Sequence, residues 1–133
     1  ESYEAGTLNM PAIWALKNAV EYINEHISEM NKTESGLTQY LVKSMTALPN
    51  VIVYNADKPR VSTLAFNVKG KSSSDVVALL DKNGICVRGG IHCAILAHET
   101  LGTVKSGAVR VSMNSYNTKD EIDAFIKVIG GIN

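Results

Sequence analysis

AVRVSMNSYNTKDEID, residues 108–123, carries two hydrophobic periods back to back, and the switch between them decides the fold. From Ala108 to Met113 the period is two. Val109, Val111 and Met113 point one way and Ala108, Arg110 and Ser112 the other, the signature of a strand with one buried face. After a polar turn, Thr118-Lys119-Asp120-Glu121 fits a capping box, in which the threonine hydroxyl and the glutamate carboxylate satisfy each other's free backbone N–H groups. Ile122, Phe125, Ile126 and Ile129 then supply the buried stripe of a terminal helix that ends before Gly130-Gly131. A strand followed at once by an amphipathic helix means a sheet packed on helices. Arg110 is held on the rigid strand, on the face away from the apolar residues.

Upstream, the same accounting gives further elements. Val51 to Tyr54 is a short β-branched run, and Val61 to Val68 alternates so that Leu64, Phe66 and Val68 share a face; both are expected to be strands. Ser72 to Ser74 offer N-caps for a helix around Asp75 to Lys82, with Val76, Leu79 and Leu80 inward and Asn83-Gly84 as its stop. Ile85 to Arg88 is expected to be another strand, with Cys86 in the core. Gly89-Gly90-Ile91-His92 is a turn that feeds a short helix from Cys93 to Leu101, ended by Gly102.

At the N-terminal end Asn9 caps a helix opening with Met10-Pro11, along which Ile13, Leu16, Val20, Ile23, Ile27 and Met30 recur in steps of three and four. The polar stretch Asn31-Lys32-Thr33 is taken as a break. A second helix carries Leu37, Leu41, Met45 and Leu48 and stops before Pro49, so the two are expected to pack as a hairpin. The resulting order is ααββαβαβα. The fold class is α+β, a small sheet packed against helices, in one domain over residues 1–133, with the sheet mixed or antiparallel.

Composition narrows the function classes. With 13 basic and 13 acidic residues the formal net charge is zero, so no global field draws the chain to nucleic acid or to an anionic membrane. No apolar run approaches the roughly 20 residues needed to span a bilayer, and no signal pattern opens the chain, so a cytoplasmic setting is expected. Cys86 and Cys93 are too few for a disulfide scaffold. The chain begins at Glu1 without a methionine, inside what reads as a loop, as a piece of a longer protein would.

Chemistry concentrates in RGGIHCA, Arg88 to Ala94. Flanking glycines, the adjacent His92, nearby Arg88 and an expected helix N-terminus all favour thiolate over thiol at Cys93, and the thiolate is the nucleophile. The plain alternative is a small buried cysteine. Arg88 and Arg110 stand on two different strands, and guanidinium is the group best shaped to hold a carboxylate with two parallel hydrogen bonds; the plain alternative is a surface ion pair for each. Cys86, His92, Cys93 and His98 have ligand chemistry suited to zinc, but adjacent His92 and Cys93 with an inward Cys86 do not give a tetrahedral set, and no metal is expected. Gly6-Thr7 could meet a phosphate through backbone N–H and hydroxyl, or form an ordinary turn.

The motifs YEAGTLNMPAI (3–13), GICVRGGIHCA (84–94) and AVRVSMNSYNTKDEID, in this order, make the chain resemble the C-terminal third of class V aminotransferase-fold enzymes. The resemblance is to the cysteine desulfurase and selenocysteine lyase group with a short cysteine loop. It implies the C-terminal small domain of a fold-type I enzyme dependent on pyridoxal 5'-phosphate (PLP), homodimeric, that converts L-cysteine to L-alanine and passes the sulfur to an acceptor protein. Cys93 matches the persulfide-forming cysteine and His92 the histidine beside it. Arg110 matches the arginine that holds the substrate carboxylate, and Arg88 the arginine that opens the cysteine loop. Gly6 and Thr7 match residues that reach the cofactor phosphate of the neighbouring subunit. The Schiff-base lysine belongs to a large domain outside this chain, so the fragment alone is expected to be inactive. A proline that many relatives carry just after Cys-Ala is replaced here by Ile95-Leu96. A class V aminotransferase or a selenocysteine lyase is the alternative within the fold, and a non-catalytic partner-binding domain the alternative outside it.

Overall fold

The computed structural model describes residues 6–91 and 94–132. In chain order the elements are α1 (Met10–Thr46), β1 (Val51–Val53), β2 (Thr63–Val68), α2 (Ser73–Lys82), β3 (Arg88–Gly90), α3 (Ile95–Leu101), β4 (Ala108–Ser112) and α4 (Lys119–Gly130). The strands form one sheet in the order β1-β2-β4-β3, antiparallel at every pairing, which settles the question that hydrophobic pattern leaves open.

One face of that sheet makes the core. Leu64, Phe66 and Val68 of β2 and Val109 and Val111 of β4 are buried against Val76 and Leu80 of α2, Ile122, Phe125 and Ile129 of α4, and Leu41 and Met45 near the end of α1. Phe66 and Phe125 meet edge to face with ring centroids 5.8 Å apart, an arrangement aromatic quadrupoles favour. The capping box at Thr118 and Glu121 forms in full. Ser72 caps α2 by accepting from the Asp75 amide. Tyr40 donates its hydroxyl to Asp123, tying α1 to α4.

Several expectations are corrected. The hairpin of two helices is one helix of 37 residues, about 55 Å long at 1.5 Å per residue. Asn31, Lys32 and Thr33 do not break it because none of them removes a backbone donor, and their lower helix propensity is a weak local preference. The spacing never loses phase either. From Met30 the steps of three and four continue through Glu34, Leu37 and Leu41. The third strand begins at Arg88 rather than ending there, so Ile85 to Val87 approach the sheet as irregular chain. Cys86, expected in the core, is exposed. Leu79 of α2 faces outward, and its neighbour Val77 packs against the core instead.

The first half of α1 departs furthest from a packed amphipathic helix. Asn9 caps it as expected, its side chain accepting from the Ala12 amide. Yet Ile13, Leu16, Val20, Ile23 and Ile27 are all exposed, Leu16 by 66%, and Trp14 beside them by 65%. Only the C-terminal third of the helix is docked.

Candidate active site

The second face of the sheet is where the polar residues gather. β4 alternates Val109 and Val111 inward with Arg110 and Ser112 outward, so Arg110 is exposed while both neighbours are buried. Arg88 lies directly opposite Arg110 in the β3–β4 register, and Ala65 directly opposite it in the β2–β4 register. Residues paired in this way point to the same face, with Cα atoms about 4.5–5.5 Å apart. Farther along the same face Thr63 Oγ1 and Ser112 Oγ lie 3.2 Å apart. Across this face the row runs Ala65, Arg110, Arg88 from β2 through β4 to β3, with two hydroxyls farther along, while toward the other end of the strands Asn67 and Ala108 are buried.

The backbone that holds these groups is tightly fixed. A Cβ on Gly89 would stand 2.6 Å from Val77 Cγ2 and 3.0 Å from the Ser73 carbonyl oxygen, so only glycine lets α2 pack this closely on β3. At the far end of β4, Glu34 of α1 accepts from the Ser62 hydroxyl at 2.9 Å and from the Ser115 amide at 3.2 Å. One carboxylate so joins α1 to the segment entering β2 and to the segment leaving β4.

Of the residues singled out from the sequence, Arg88 and Arg110 are brought together. His92 and Cys93 lie outside the described residues. Ile91 and Ala94, on either side of them, are joined by a hydrogen bond from the Ala94 amide to the Ile91 carbonyl at 3.3 Å. Gly6 and Thr7 are exposed ahead of α1, and the stretch from Met10 to Glu34 puts about 36 Å of helix between its start and its docked part. They are not part of the arginine face. Gly6 has φ of +91°, with nothing within 4 Å of where a Cβ would be.

His98, which the sequence leaves without a role beyond a rejected metal set, is the one buried side chain of α3 and hydrogen-bonds through Nδ1 to Thr103 Oγ1 at 2.7 Å. Thr103, and Gly107 and Asn67, which are joined to it in turn by hydrogen bonds, carry no motif of their own. The available signal is Gly102: a glycine closing a short helix adopts the left-handed conformation, here φ +69°, and turns the following residues back onto it.

Fold and site together describe a small α+β unit with two arginines opposed on one face of its sheet. The aminotransferase class-V family model matches residues 1–125, and the chain belongs to that family. It is 34% identical over 128 residues to a cysteine desulfurase of Cronobacter sakazakii, covering 93% of this chain and 30% of that one. Among solved structures, the apo cysteine desulfurase from Thermococcus onnurineus superposes with a TM-score of 0.81 at 32% identity, covering 96% of this chain and 32% of the other. The cysteine desulfurase CsdA of Escherichia coli, in an S-sulfonic acid form, gives 0.78 at 29%, covering 95% and 31%. The chain spans about 30% of the length of the curated relatives it matches.

Proposed function

We propose that residues 1–133 are the C-terminal small domain of a PLP-dependent cysteine desulfurase, which converts L-cysteine to L-alanine and takes the sulfur onto Cys93 as a persulfide. The observation that carries this reading is the opposition of Arg88 and Arg110 on one face of the sheet. Guanidinium groups on two opposed strand positions can both reach one carboxylate and make charge-assisted contacts with it. Arg110 holds the substrate carboxylate, and Arg88, at the mouth of the cysteine segment, lines the same site.

PLP, when bound by the whole enzyme, supplies the electron sink that loosens the substrate's C–S bond. The work of this chain is placement. The Cys93 thiolate attacks the substrate sulfur, the bond between that sulfur and Cβ breaks, and the sulfur stays on Cys93 as a persulfide while the carbon fragment takes up a proton to leave as alanine. The persulfide is then passed to a thiol of an acceptor protein. Gly6 and Thr7 fit one edge of a phosphate site completed by another surface: a left-handed glycine leaves its backbone N–H open to close approach, and the exposed hydroxyl stands next to it. In a homodimer that surface is the neighbouring subunit's. The uncovered stripe of α1 is where the remainder of the protein packs.

The test is cysteine-dependent release of alanine and sulfide by the full-length protein with PLP and a thiol reductant, which frees the persulfide's outer sulfur as sulfide, comparing wild type with Cys93→Ala. Loss of sulfide in the variant is expected. Equal activity in both would remove Cys93 from the mechanism, and a wild type that turns over keto-acid substrates or selenocysteine in preference to cysteine would move the chain to another reaction of the same family.

A further inference from the structure

We infer that His98 and Thr103 are positioning residues that set where the segment carrying Cys93 joins α3, so that rate in the desulfurase depends on a hydrogen bond between α3 and the residues that follow it. The role of Cys93 rests on the reading above; the anchoring of its flanks does not.

Residues 91–94 run between two short elements, and both are fixed to one buried node. On the strand side, Gly90 ends β3 opposite Ala108. The preceding Gly107, at φ +63°, approaches it so closely that a Cβ there would stand 2.8 Å from Gly90 Cα and 2.8 Å from Ser73 Oγ. The Gly107 carbonyl accepts from buried Asn67 Nδ2 at 3.0 Å, and Ser73 Oγ donates to the neighbouring Ser106 carbonyl at 2.8 Å. Gly107 cannot shift without moving β2, β3 and α2 together.

On the helix side, α3 has seven residues, too few to hold a helix by themselves. Its N-cap Ala94 offers no side-chain hydrogen bond, and Ile95, Leu96 and Ala97 are exposed. His98 is 7% exposed and Thr103 4%. The imidazole Nδ1 meets the Thr103 hydroxyl, the Thr103 amide donates to the His98 carbonyl at 2.8 Å, and the Gly107 amide donates to the Thr103 carbonyl at 2.8 Å. The His98 amide in turn donates to the carbonyl of Ala94, the residue after Cys93, at 3.1 Å. A hydrogen-bonded path so runs from Ala94 through His98 and Thr103 to Gly107, the glycine that also clamps Gly90. Entry to and exit from the cysteine segment share one anchor.

A nucleophile must reach its substrate within a fraction of an ångström, and a displacement of about 1 Å can cost about 100-fold in rate. In the full-length enzyme loaded with PLP, Thr103→Val, which keeps the side-chain shape and removes the hydroxyl, is expected to lower kcat for sulfur release by roughly tenfold or more while KM for cysteine and the cofactor's absorbance stay near wild type. Thr103→Ser, which restores the hydroxyl, is expected to recover most of the rate. Amide hydrogen exchange supplies a readout independent of turnover: in Thr103→Val it should speed up in peptides covering 91–97 and not in β2 or α4. Wild-type exchange and kcat in the valine variant would overturn the inference, as would faster exchange throughout the domain with no rescue by serine. A wild-type enzyme inactive on cysteine would instead defeat the desulfurase reading and leave the exchange result to decide the anchor.

Discussion

Arg88 and Arg110 occupy directly opposed positions on β3 and β4, two cations on the same face of the sheet. In the proposed function this arrangement serves binding of the substrate carboxylate. Arg110→Ala should therefore lower kcat/KM for cysteine by about 10- to 100-fold, the range expected for one lost hydrogen bond to a charged group, with most of the change in KM. Arg110→Lys should recover only part of it, because an ammonium lacks the planar pair of donors. Thermal melting should show no loss of stability in Arg110→Ala, since the side chain is exposed. A variant that melts earlier would mean that Arg110 has a structural partner.

Gly107 and Gly102 both have positive φ, but only Gly107 has backbone against it. Replacing Gly102 by alanine should cost about 1 kcal/mol, the penalty of a left-handed alanine in open space. Gly107→Ala should cost distinctly more, about 2–4 kcal/mol, because the new Cβ stands 2.8 Å from the Gly90 Cα and relief requires the sheet to move. Urea denaturation of the two variants side by side would check the order. Equal costs would show that the β3–β4 junction yields easily.

The helix that begins at Thr118 ties stability to acid pH. The Thr118 amide donates to Glu121 Oε2 at 2.8 Å, and this bond, ahead of the one from Asn117, holds the Glu121 carboxyl below its ordinary value of 4.5. A carboxylate depressed on folding adds stability that is present above the unfolded pKa and disappears as pH falls through the folded one. Unfolding free energy should thus decline from about pH 5 downward, and Glu121→Gln should flatten that part of the profile. Thr118→Ala, which deletes the other half of the box, should cost about 1 kcal/mol at neutral pH.

Much of this was legible in the residues. The terminal strand and helix follow from Val109, Val111, Ile122 and Phe125 because each element has one wet and one dry face, and its period survives in the sequence. Arg110 stood out for the same reason, a charge in an otherwise apolar alternation. Cys86 misled because a short apolar run, Ile85 to Val87, looks the same whether it enters a sheet or only leads to one. The opposition of Arg88 to Arg110 depends on register, which pattern does not give. The bond between His98 and Thr103 depends on a chain reversal at Gly102, which brings together residues with no shared period.

The exposed half of α1 gives the last prediction. Leu16, Val20, Ile23 and Ile27 lie on one stripe that continues in phase into Leu41 and Met45, yet the stripe is buried only at its C-terminal end. A stripe of this kind on a 37-residue helix is stable in water only against a partner surface. The chain of 133 residues on its own should therefore self-associate in light scattering, and Leu16→Glu with Ile23→Glu should disperse it without lowering its melting temperature. Met45→Ala should behave in the opposite way: it removes a fully buried side chain from between α1 and the sheet and should cost about 2–5 kcal/mol, while leaving the association unchanged. In the full-length protein the contrast should vanish. There both substitutions should destabilise if the remainder of the protein packs on the stripe as proposed; a full-length enzyme indifferent to Leu16→Glu and Ile23→Glu would mean that the first half of α1 stays in solvent.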